Sequence, residues 1–116
     1  MTFERLGGLD QGFVEADLKN TEDESKVLSA LNKIFPASNF EGKGDKIVGE
    51  VSLSSFKDLV EKEKIRAAIE ALLDENLSGE KSYIDLNKLA ALVGRVGIDE
   101  GSPIGKIRLY VSWKKA

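Results

Sequence analysis

No cysteine and no histidine occurs anywhere in this sequence. Their absence removes disulfide stapling, thiolate nucleophiles, zinc sites built from either residue, and imidazole general-base chemistry. No apolar run approaches the roughly 18 residues that a membrane-crossing helix needs. The opening MTFERLGGLDQG lacks the basic-then-apolar order of a secretory leader, so the expected location is the cytoplasm, with no membrane partner. Few enzyme mechanisms survive these absences, and the expectation is a protein that is not an enzyme and carries no cofactor.

What is present suffices for one folded domain. The chain has 116 residues, 41% hydrophobic and 32% charged, enough apolar surface to close a core. Many Lys and Glu with a single Gln match the composition of thermophile proteins. The net charge of −3 argues against coating nucleic acid by bulk charge. The charges are unevenly spread, however. Residues 1–80 hold ten basic and seventeen acidic side chains, whereas residues 81–116 hold seven basic and three acidic ones. A polyanionic partner would therefore meet the C-terminal third.

Residues 1–12, with Gly7, Gly8 and Gly12, show no sustained period and read as an N-terminal arm; residues 13–116 form a single domain. Val14, Ala16 and Leu18 alternate with Glu15, Asp17 and Lys19, the period of a half-buried strand. Thr21 and Glu24 form a capping box before Val27, Leu28, Leu31, Ile34 and Phe35, which share one helical face until Pro36 stops the helix. Gly42-Lys43-Gly44-Asp45 reads as a hairpin turn between strands near residues 38–41 and 46–52. Ser54 or Ser55 caps the next helical segment. The stripes Phe56/Leu59/Val60 and Ile65/Ala68/Ile69/Leu72/Leu73 are out of phase, because nine residues turn a helix by about 900°, half a turn too many. A break near Lys62–Lys64 realigns them. Strands follow at 81–86, 93–98 and 105–113, and residues 86–92 are ambiguous, with one helical turn as a reading. The fold class is α+β: a two-layer arrangement with a mostly antiparallel sheet of about five to six strands and helices on one face.

On the last strand, Lys106, Arg108 and Tyr110 fall on one sheet face, with Lys114 and Lys115 beyond. Positive charge beside an aromatic ring can contact phosphates and stack on a base, although such residues are also ordinary on a solvated face. Asn87 either caps a helical turn or joins Lys88 in holding a phosphate. Arg95, between glycines, is either a ligand contact or a surface residue. Glu22, Asp23 and Glu24 diverge by about 100° per residue on a helix and do not converge on a metal ion, so no metal site is expected. No spacing signals a nucleophile with its base, and no catalytic residue is assigned.

Taken in order, TEDESKVLSALNKIFP (21–36), VGEVSLSSFKDLVEKEKI (48–65), YIDLNKLAALVGRVGI (83–98) and SPIGKIRLYV (102–111) resemble an uncharacterised archaeal family predicted to bind RNA. Its fold is likened to double-stranded-RNA-binding domains and to a large-subunit ribosomal protein. The most specific parts are Thr21-Glu22-Asp23, Phe35-Pro36, Leu86-Asn87-Lys88 with Ala90-Ala91, and Ser102-Pro103 with Gly105 and Ile107. The resemblance implies a noncatalytic RNA-binding domain that takes structured or double-stranded RNA in preference to single strands. By that carry-over Asn87, Lys88, Lys106 and Arg108 touch the ligand. A net acidic chain departs from the basic excess usual in RNA-binding modules. The alternative is a protein–protein or self-association module, a homodimer among its forms, that pairs through apolar helix faces or a sheet edge.

Overall fold

The computed structural model describes residues 9–18, 23–36, 38–101 and 105–112. Strand β1 spans Gln11–Asp17, and its alternation buries Val14 and Ala16. The fold takes in residues 9–12, which the glycine pattern assigns to an arm. Leu9 is buried in the core, and the Leu53 amide donates to the Asp10 carbonyl at 2.9 Å.

Helix α1 spans Glu24–Ile34. Its cap is Asp23, whose carboxylate accepts from the Ser25 amide at 2.9 Å; the expected cap, Thr21, lies outside the described residues. Bonds from the Ser25 hydroxyl and amide hold the Asp23 carboxyl below its ordinary pKa. An aspartate at this position satisfies an amide at the helix start that has no intrahelical partner, so the helix begins later than the box pattern places it. Strands β2 (Asn39–Lys43) and β3 (Lys46–Ser52) form a hairpin. Because Lys43 pairs with Lys46, the expected four-residue turn tightens to Gly44-Asp45, with Gly44 left-handed at φ 68°.

Helices α2 (Ser54–Glu63) and α3 (Arg66–Glu75) are separated at Lys64, which is left-handed at φ 60°. The break falls where the two apolar stripes lose phase, and it lets Phe56 and Val60 share one core with Ile69 and Leu73. Neither Ser54 nor Ser55 caps α2; Leu53 occupies that position with no side-chain bond. Strand β4 (Lys81–Asn87) runs into the short α4 (Lys88–Leu92), and Asn87 accepts from the Ala90 amide at 2.9 Å. Residues 93–98 form no strand. They turn back and meet β4 through the Asn87 amide to the Gly97 carbonyl and a single Leu86–Ile98 bridge. Strand β5 spans Lys106–Ser112; Ser102, Pro103 and Trp113 lie outside the described residues.

The sheet has five strands in the order β2-β3-β1-β5-β4, every neighbouring pair antiparallel. Strands from the two ends of the chain, β1 and β5, thus lie side by side at its middle. One face supplies Val14, Ala16, Ile47, Val51, Ile84, Leu86, Ile107, Leu109 and Val111 to a core shared with the helices. Within it Phe35 and Phe56 stack with ring centroids 5.4 Å apart. Each fully buried side chain of this size contributes roughly 1.5–3 kcal/mol. The helices cover this face, and among the described residues the opposite face of the sheet is open.

Candidate nucleic-acid interface

Period two puts Phe13, Glu15 and Asp17 of β1 on the open face, with Lys106, Arg108, Tyr110 and Ser112 of β5 and Lys81, Tyr83, Asp85 and Asn87 of β4. Antiparallel register sorts them into rows. Asn39, Glu50, Phe13, Tyr110 and Tyr83 lie opposite one another across all five strands. The next row is Glu41, Val48, Glu15, Arg108 and Asp85.

The first row is aromatic over three adjacent strands. Phe13 and Tyr110 have ring centroids 6.5 Å apart and Tyr110 and Tyr83 6.4 Å, tilted by 40° and 50°. Phe13 is 39% exposed and Tyr110 36%, two neighbouring large rings open to solvent on one sheet face. Beside Phe13 and Tyr110 lies an open depression of about 840 Å³, lined also by Gln11, Glu50, Lys81 and Ser112.

The second row is paired charge. Arg108 donates to both Asp85 oxygens, at 2.7 and 3.1 Å, and its guanidinium lies 4.2 Å from the centre of the Tyr83 ring. Asp85 raises the Arg108 pKa above the ordinary guanidinium value, with burial opposing and Tyr110 adding a smaller increase. Arg108 is therefore a charged but neutralised planar group. Lys46 likewise pairs with Glu15 at 3.5 Å.

The residues singled out in the sequence do not assemble into one site. Lys106, Arg108 and Tyr110 share the open face as expected from their alternation. Asn87 lies opposite Lys106, but its side-chain oxygen is engaged in capping α4. Lys88 is only 2% exposed, and its ammonium donates to the Asp17 carbonyl, so it fastens the end of β1 to the start of α4 instead of facing a phosphate. Arg95 sits after α4 and donates to both Glu63 oxygens, at 3.0 and 2.8 Å, which lowers the Glu63 pKa and raises that of Arg95. Among the described residues of the C-terminal third, Lys81 and Lys106 remain without an ion pair. Of the five described cations of that segment, Lys88, Arg95 and Arg108 are thus engaged within the fold. Phe13 and Tyr83 were not singled out in the sequence; their hydrophobic alternation marks strands without saying which strands are neighbours.

Residues 13–112 match the protein-family model described as RNA binding. A UPF0201 protein of Methanothermobacter thermautotrophicus is 33% identical over 97 residues, which cover 81% of this chain and 74% of that one. The chain belongs to the UPF0201 family. The crystal structure of an uncharacterized UPF0201 protein superposes with a TM-score of 0.82 at 25% identity, covering 91% of this chain and 84% of that one. The UPF0201 protein of Methanococcus jannaschii superposes at 0.75 and 27% identity, covering 88% and 86%. The span matched by the family model opens on Phe13 and closes on Ser112, so it contains the aromatic row.

Proposed function

We propose that this chain is a noncatalytic RNA-binding domain that receives its ligand on the open sheet face around β1, β5 and β4. The observation that carries the reading is the row Phe13–Tyr110–Tyr83 on the face opposite the helices, where Phe13 and Tyr110 are exposed and Tyr83 is half-buried beneath the Arg108 guanidinium, in a family described as RNA binding. Aromatic rings on an uncovered sheet offer π faces to bases, and Lys81 and Lys106 supply charge at its margins.

Asn87, Lys88 and Arg95 engage three different protein partners and do not converge on a small molecule, which favours binding over catalysis.

The test is fluorescence-anisotropy titration of labelled RNA at roughly 50 and 200 mM salt. Binding in the micromolar range or tighter is expected at the lower salt. With about two phosphates neutralised, affinity should fall less than about tenfold at the higher salt. No binding at the lower salt would remove RNA as the ligand and leave a protein partner as the reading for the exposed rings.

A further inference from the structure

We infer that the aromatic row takes unpaired nucleotides, one base on Phe13 and the next on Tyr110, so that single-stranded RNA is preferred to duplex. This rests on the RNA-binding reading above and narrows it.

Three observations carry it. The first is spacing. Rings tilted by 40° to each other cannot both lie flat against one base, so each ring serves its own base. Bases stacked in a helical strand are about 3.4 Å apart, so a strand that covers both rings must be unstacked. The second is the nature of the contact. Bases in a duplex hide their faces against one another, and a ring reaches a base face only where pairing is lost.

The third is charge. Double-stranded RNA is held through phosphates and 2′-hydroxyls over about 16 base pairs, which demands cations spread along a face. Here Arg108 is neutralised by Asp85, Lys46 is paired with Glu15, and Lys88 is buried. Glu50 lines the depression beside Phe13, and Lys81 is the single cation that lines it. Such a surface gains from stacking and from phosphate contacts at Lys81 and Lys106. The sequence resemblance implies a preference for structured or double-stranded RNA; the geometry points the other way. The Arg108 guanidinium over Tyr83 is a further planar surface for a third base.

The experiment compares a labelled single-stranded decaribonucleotide with a duplex of equal length, for the wild-type chain and for Tyr110→Phe, Tyr110→Leu and Phe13→Leu. Each substitution lies on the solvent face, and thermal melts establish that the variants are folded. The single strand is expected to bind at least about tenfold more tightly than the duplex. Tyr110→Leu and Phe13→Leu should each weaken it by about tenfold, while Tyr110→Phe, which keeps the ring, should lose much less than Tyr110→Leu. Duplex binding equal to or tighter than single-strand binding, or wild-type affinity in Tyr110→Leu, would overturn the inference and leave RNA binding standing. Failure of both RNAs to bind the wild-type chain would overturn RNA binding itself. In that case, self-association of the wild-type chain in sedimentation that Tyr110→Leu abolishes would make the row a contact between copies.

Discussion

Gly49→Ala is expected to cost the fold about 3 kcal/mol, at the upper end of what overpacking does. Gly49 lies in β3, between Phe40 of β2 and Val14 of β1. A methyl group there would stand 2.2 Å from the Asn39 carbonyl oxygen and 2.9 Å from the Phe40 ring. The carbonyl belongs to the backbone of the neighbouring strand and cannot step aside alone, so β2 must lift from β3. At about 4 °C per kcal/mol for a domain of this size, the melting midpoint should fall by roughly 12 °C. Gly42→Ala is the control. Its methyl would meet the Glu24 carboxylate at 3.1 Å, the free end of a flexible side chain, and the midpoint should stay within about 2 °C. Thermal unfolding followed by circular dichroism checks both; a wild-type midpoint for Gly49→Ala would mean that β2 is not seated as described.

Lys88 should prove structural. Truncation by Lys88→Ala empties a buried site and takes an ammonium donor from the Asp17 carbonyl, for an expected loss of about 3 kcal/mol. Lys88→Met fills most of the volume but gives up the ammonium's bonds, so about 1–2 kcal/mol should go. Chemical denaturation of the three proteins gives the ordering wild type, Met, Ala. RNA affinity of folded Lys88→Met should equal that of wild type. An undiminished stability with weakened RNA binding would instead restore Lys88 to the interface.

The contrast between these residues and the candidate site marks what a sequence discloses. The break at Lys64 was legible, because two apolar stripes half a turn out of phase cannot face one core without it. The face shared by Lys106, Arg108 and Tyr110 was equally legible, since strand alternation is a local property. Asn87 as the cap of α4 was one of two readings that its side chain allowed, beside a phosphate contact shared with Lys88.

What was not legible depends on partners distant in the chain. The pairing of β1 with β5 brings Phe13 to Tyr110 across 97 residues, and no periodicity encodes a neighbour. The β4–β5 register decides that Arg108 meets Asp85 and lies over Tyr83, partners that the alternation of one strand does not name. Burial of Lys88 likewise needs the end of β1 to lie beside α4, a tertiary fact. Residues 93–98 have the valine and isoleucine of a strand but spend their backbone bonds on a turn and a single bridge. Propensity gave way there to tertiary context.

The central claim is that RNA is received on the open sheet face. Amide chemical-shift mapping of the isotope-labelled chain, titrated with an unlabelled single-stranded oligoribonucleotide, tests it most directly. The largest shifts are expected at Phe13, Glu15, Tyr83, Arg108 and Tyr110, with α1, α2 and α3 nearly silent. Shifts centred on the helical layer, around Glu63 and Arg95, would contradict it.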